Sequence, residues 1–149
     1  MHPWCSPELT GAEVSAELWV EGELNGIAFA LALRAMGIVH IGVQGLGGAS
    51  GKPHTSHNLA GRKIYIYADP DPAGKKACQR LAMLAVERGA VPYVLPAFQD
   101  GVPEYDAAAF LAERVPCQGW KLPGKVAAAP FLAPLLYRVD MLLTRPEAS

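Results

Sequence analysis

Cysteine is scarce in this chain. Cys5, Cys78 and Cys117 are widely spaced and odd in number, so they make neither a zinc pattern nor a disulfide framework. That excludes a disulfide-stapled secreted module and points to a reducing, cytoplasmic compartment. An excess of charge of one sign is also missing: 13 Lys and Arg stand against 14 Asp and Glu, for a net charge of −1. A protein that grips nucleic acid unaided is usually more basic, so any polynucleotide contact must be local, metal-assisted or shared with a partner. No apolar run is long enough to span a bilayer, because Arg138 and Asp140 interrupt the best stretch, and no membrane partner is expected. No signal peptide is expected either, since Pro3, Pro7 and Glu8 stand where a basic and then an apolar segment would be needed.

What is present suits a folded domain. At 149 residues, with 51% apolar and 18% charged, the chain can bury a substantial core as one unit. Its organising stretch is Ile64-Tyr65-Ile66-Tyr67-Ala68-Asp69-Pro70-Asp71-Pro72-Ala73-Gly74-Lys75-Lys76. Four residues of strong strand preference run into two carboxylates, and a helix pattern begins at once. Residues two apart on a strand point to the same side, so Asp69 and Asp71 converge at the strand's carboxyl end. Pro72 fits a first helical turn, where no N–H partner is lost. Paired carboxylates repel unless a cation joins them, and hard oxygen ligands suit Mg²⁺. Asp71 equally has the position of a helix N-cap and Asp69 that of a turn residue, so this stretch alone leaves both readings open.

In chain order, residues 1–16 show no periodicity and read as an irregular lead-in, with Trp4 docked on the core. A strand over 17–20 ends at Glu21-Gly22-Glu23. A helix over 24–36 follows, its apolar positions Leu24, Ile27, Ala28, Leu31, Ala32 and Ala35 falling on one face. Gly37 ends it, and 38–43 is the second strand. The glycine loop Gly45-Leu46-Gly47-Gly48-Ala49-Ser50-Gly51-Lys52 is not a P-loop: Leu46 stands where glycine is required and Pro53 where Ser or Thr is required. Its backbone amides remain candidates for a close approach to phosphate; a plain connection is the competing reading. His54 and His57 lie three apart, but no neighbouring carboxylate or cysteine in the sequence supports them as ligands.

The central strand covers 63–68 and a long helix 72–88, buried through Ala73, Ala77, Cys78, Leu81, Leu84 and Ala85. Lys75 and Lys76 lie in its first turns, where the macrodipole disfavours cations, so they are expected to serve an anion or solvent. Gly89 closes the helix, 91–95 is a fourth strand, and a helix runs from Asp106 to near Val115. The segment 126–143 is apolar but broken by Pro130 and Pro134, which predicts a late-starting helix over 135–143 packed on the sheet. Strand and helix alternate as in an α/β domain with a mainly parallel, four-stranded sheet. Ligands of such sheets bind beyond the carboxyl ends of the strands, and Glu21, Glu23, Asp69, Asp71 and Asp106 all fall there.

Residues 20–28 (Val-Glu-Gly-Glu-Leu-Asn-Gly-Ile-Ala), the glycine loop, Gly61-Arg62-Lys63 leading to Ala68-Asp69-Pro70-Asp71-Pro72-Ala73-Gly74, and Asp106-Ala107-Ala108-Ala109-Phe110-Leu111 together resemble the TOPRIM domain. The likeness is greatest to its DnaG-type and phage primase branch and covers residues 17–115, leaving 1–16 as lead-in and 116–149 as a C-terminal extension. The resemblance implies a Rossmann-like domain that uses Mg²⁺, or Mn²⁺ in its place, for phosphoryl transfer on nucleic acid. It implies Glu21 as a metal ligand or acid/base, Asp69 and Asp71 as the metal-holding pair, and Asp106 as a further ligand. Primases usually have aspartate where this chain has Asn25, and often a second acid where it has Ala109, which weakens a second metal site more than the first.

The expected activity is primase-like nucleotidyl transfer in DNA replication, with single-stranded DNA and NTPs as partners. Glu21 or Glu23 would relay the proton, while Lys52, Lys75, Lys76 and the amides around Gly45, Gly47 and Gly48 would steady phosphates. A replication or repair protein would supply the missing basic surface. The alternatives are a TOPRIM nuclease using the same carboxylates and a non-catalytic, metal-dependent nucleic-acid-binding module.

Overall fold

The computed structural model describes residues 2–10, 14–35, 37–69 and 71–95. Five strands form one sheet: β1 (Trp4–Cys5), β2 (Ala16–Val20), β3 (Ile41–Gly45), β4 (Lys63–Tyr67) and β5 (Val91–Val94). A 3₁₀ turn (Pro7–Thr10) follows β1, and two helices, α1 (Glu23–Ala35) and α2 (Pro72–Glu87), make the crossovers. The strand order is β1-β3-β2-β4-β5. All pairings are parallel except β1 on β3. The α/β expectation holds, but the sheet has five strands rather than four. The lead-in read as irregular supplies the antiparallel edge strand, and Trp4 packs against the core as expected. Two residues are too few for any hydrophobic period to register. The helix expected from Asp106 and the extension 116–149, with Cys117, lie outside the described residues.

The topology sets the position of the site. From central β2 the chain passes through α1 to β3 on one side, and from β4 through α2 to β5 on the other. Right-handed crossovers in opposite directions put the two helices on opposite faces. The core accordingly divides in two. Ala28, Phe29, Ala32 and Leu33 of α1 pack on Leu18, Val20, Val43 and Tyr67, with the Phe29 and Tyr67 rings edge-on at 5.2 Å. On the other face Trp19, Ile64 and Ile66 lie under Leu81 and Ala85, and Leu46 and Leu59 complete the cover. The direction of winding reverses between β2 and β4, which is where open α/β sheets leave a crevice.

Both helices end as the sequence requires. Gly37 (φ 74°) and Gly89 (φ 78°) adopt the left-handed conformation. Each helix closes with the paired bonds of a Schellman motif: Ile38 N–H to Leu33 O at 3.0 Å with Gly37 N–H to Arg34 O at 2.9 Å, and Ala90 N–H to Ala85 O at 2.9 Å with Gly89 N–H to Val86 O at 3.0 Å. The buried face of α2 agrees with its periodicity at Ala77, Leu81 and Ala85, whereas Ala73, expected on that face, is exposed. That of α1 is turned from the expected stripe. Leu24 is 72% exposed, whereas Asn25 and Phe29 are buried. An almost uniformly apolar helix gives periodicity little to choose between, and the buried Asn25 hides the true start of its inner face.

Candidate functional site

β2 and β4 are neighbours in register, Val20 opposite Tyr67, so the chain leaves both at the same level of the crevice. Backbone bonds stitch the three departing loops together: Glu21 N–H to Tyr67 O (2.9 Å), Leu46 N–H to Val20 O (2.8 Å) and Gly48 N–H to Glu21 O (2.7 Å). The buried Glu21 carboxylate reaches across to accept the Asp69 N–H through Oε2 at 2.8 Å. The two motifs expected to converge are therefore in hydrogen-bond contact. Asp69 is half-buried and borders a cavity of ≈ 320 Å³ with Lys75, Cys78 and Leu95. Gly74 lies so close beneath it that a Cβ there would run into the Asp69 carbonyl, which explains glycine at that position.

Asp71 is the N-cap of α2. Its backbone is extended (φ −119°, ψ 171°), and Oδ1 accepts the Gly74 N–H at 2.6 Å, with Pro72 in the first turn. The capping reading of this residue is thus realised, with one oxygen committed to the helix. Glu23 opens α1 with an exposed side chain. Lys75 and Lys76 are exposed in the first turns of α2, and Lys52 is exposed beyond the glycine loop. Of the loop glycines, Gly45 is the buried last residue of β3, Gly48 spends its amide on Glu21, and Gly47 is exposed. Arg80 of α2 clamps the loop, donating through Nη2 to Ala49 O at 2.7 Å and Gly51 O at 2.9 Å. Asp106 lies outside the described residues.

Among the described residues, no group of three or more His, Cys, Asp and Glu side chains is placed to hold a metal ion. Glu21 and Asp69 provide hard oxygen donors from two strands, and one or two carboxylates with water and substrate phosphate make up a common Mg²⁺ shell. These two carboxylates have the donor chemistry that such a shell requires, but they are fewer than a metal-holding group. At Cys78, beside the cavity, burial, reinforced by the negative charge of Glu21, pushes the thiol up and so disfavours the thiolate. The chain matches no family model, no curated protein and no solved structure. Among the described residues, no helix is long and apolar enough to cross a membrane.

A second cluster escaped the sequence reading. Glu17, inside β2, is completely buried and points to the α2 side with Trp19. Its Oε1 accepts Gln44 Nε2 at 2.8 Å and Trp19 Nε1 at 3.2 Å, and its Oε2 meets His57 Nε2 at 2.7 Å and Arg62 Nη1 at 2.9 Å. Gln44 in turn ties down the backbone of His54, donating to its carbonyl at 3.1 Å and accepting its N–H at 2.7 Å. Burial by itself would push the Glu17 carboxyl up; the bonds from His57, Gln44, Arg62 and Trp19 outweigh it and hold the group below its ordinary value. His57 thus has the carboxylate neighbour that its sequence surroundings did not reveal. The available signal was a glutamate on the same strand face as Trp19, since a charge at a buried position demands partners.

Proposed function

We propose that this chain is a TOPRIM-type, Mg²⁺-dependent phosphoryl-transfer protein acting on nucleic acid, in the manner of a primase nucleotidyltransferase. The observation that carries the reading is the hydrogen bond between the Glu21 carboxylate and the Asp69 backbone at the switch point between β2 and β4. It joins the glutamate motif and the aspartate motif at the place where α/β sheets bind ligands. Glu21 and Asp69 would hold the metal, with Asp71 contributing whatever its cap leaves available and Asp106 completing the set. Bound Mg²⁺ supplies charge stabilisation at phosphoryl oxygens. The exposed Glu23 is the group free to accept the proton of an attacking 3′-hydroxyl. Lys75 and Lys76, beside the positive end of α2, hold phosphates against the site.

The test is incubation with Mg²⁺ or Mn²⁺, single-stranded DNA and NTPs. Primer synthesis is expected, with Asp69→Asn reducing it at least about 100-fold, the scale of losing one electrostatic contributor to a transition state. Cleaved strands in place of primers would make the protein a nuclease of the same site. Binding without turnover would make it a recruitment module, and full activity in Asp69→Asn would overturn the site assignment.

A further inference from the structure

A groove of ≈ 530 Å³ lies between α2 and the segment that follows the glycine loop. Lys76, Arg80, Leu84 and Glu87 line it at helical spacing from one side, and Lys52 closes it from the other. Its charge runs against the chain as a whole: three cations and the single carboxylate of Glu87, in a protein of net charge −1. The loop wall is held in place, because Arg80 grips the Ala49 and Gly51 carbonyls, leaving Lys52 and Lys76 as exposed cations on opposite walls. Met83, 66% exposed, also lines the groove and offers an apolar, adaptable surface there. Gln79 lines both this groove and the cavity beside Asp69, so the two are neighbours that share one side chain.

We propose that this groove is a binding track for single-stranded nucleic acid, with phosphates on Lys52 and Lys76 and unpaired bases over Met83 and Leu84. From Lys76 to Glu87 is about 16 Å of helix at 1.5 Å per residue, enough to follow a short run of nucleotides. Cations that track a backbone beside an apolar platform are the recognition chemistry of unpaired strands, whose base faces are open. A duplex hides those faces, and a lone nucleotide needs one compact phosphate site rather than cations on two walls. The delivery of the strand to Asp69 rests on the phosphoryl-transfer reading; the binding itself needs no metal.

The test is fluorescence anisotropy of the full chain with a labelled 20-nucleotide oligo-dT in EDTA, over a range of salt. Counterion release gives a slope of about 0.7 in log–log salt dependence per phosphate contact on a single strand. Lys52→Gln with Lys76→Gln should therefore lower the slope by about 1.4 and weaken binding about 25-fold at 0.1 M salt. Met83→Ala should weaken oligo-dT binding with the slope unchanged. Unchanged affinity and slope in the double variant would overturn the proposal. So would equal competition by a duplex, or displacement of the oligonucleotide by ATP at matched concentration. Lysine-dependent binding in a protein that never turns over would sustain the track while removing the phosphoryl-transfer reading, so the two fail separately.

Discussion

Glu17 and Glu21 stand four residues apart on one length of chain, one inside β2 and the other just past its end. Both are buried, yet they are held in opposite ways. Glu17 meets four side-chain donors drawn from β2, β3 and the connection before β4, two at each oxygen. Its acceptor capacity is used inside the protein, and its role is to tie the long β3–β4 connection to the sheet. Among the described residues, Glu21 accepts one backbone N–H, that of Asp69 across the gap between the ends of β2 and β4. A carboxylate saturated by its own protein is structural cement, whereas one kept short of partners at a strand end retains oxygen for a ligand. On the proposed reading, a glutamate that holds the fold and one that serves the reaction stand within five residues of sequence.

The sharpest way to break it is to remove each group. Glu17→Ala leaves Arg62 and His57 facing an emptied pocket. Loss of one partner from a buried charged pair costs about 3–5 kcal/mol. The lower end, about 3 kcal/mol, is expected here because the Arg62 and His57 side chains keep 22% and 38% of their exposure. Urea unfolding monitored by circular dichroism would read it, and a loss below about 1 kcal/mol would deny the cluster its structural role. Glu21→Gln should do the reverse. Metal-dependent turnover should fall about 100-fold, or about 2.7 kcal/mol of transition-state stabilisation, with the urea midpoint nearly unchanged. If Glu21→Gln unfolds the protein as readily as Glu17→Ala does, the distinction between the two glutamates fails.

Acid should separate them more gently. The Glu17 carboxyl is held below its ordinary value in the folded state, so its contribution is fully present above the unfolded pKa of about 4.3 and is lost as the pH falls through the lower folded value. Wild-type stability should therefore decline more steeply below about pH 4.3 than that of Glu17→Ala, and urea midpoints at pH 7 and at pH 3.5 measure the difference. Parallel declines would mean that Glu17 is not the group whose protonation loosens the fold.

The same contrast explains what could be read from the chain. The alternation of strands and helices, the glycine stops at Gly37 and Gly89, and the meeting of Glu21 with the Asp69 stretch were legible, because each depends on local preference or on strand ends that a parallel topology must bring together. The Glu17 cluster was not. Its members are up to 45 residues apart, and the connection carrying His57 and Arg62 has no period that would show which strand it crosses. The edge strand β1 was missed because it is only two residues long. The inner face of α1 was misplaced by its uniform apolarity. Asp71 was legible in both of its readings at once, and the backbone geometry at the head of α2 realises the capping one.

Asp71 consequently offers the finest test of where structure ends and chemistry begins. Its Oδ1 accepts the Gly74 N–H, and replacing an N-cap acceptor by alanine costs about 1 kcal/mol. Asparagine caps a helix as well as aspartate does, so Asp71→Asn should unfold with the wild type while Asp71→Ala unfolds about 1 kcal/mol earlier. The two substitutions remove the same charge but differ in what they leave to the helix. If Asp71 also serves the metal, both variants lose Mg²⁺-dependent turnover, and the asparagine variant does so in a fully stable protein. If the asparagine variant retains turnover, the aspartate is a helix cap alone, and the metal must be carried by Glu21 and Asp69 with whatever Asp106 adds. Stability and turnover measured on the same pair of proteins therefore assign each oxygen of one side chain to the fold or to the reaction.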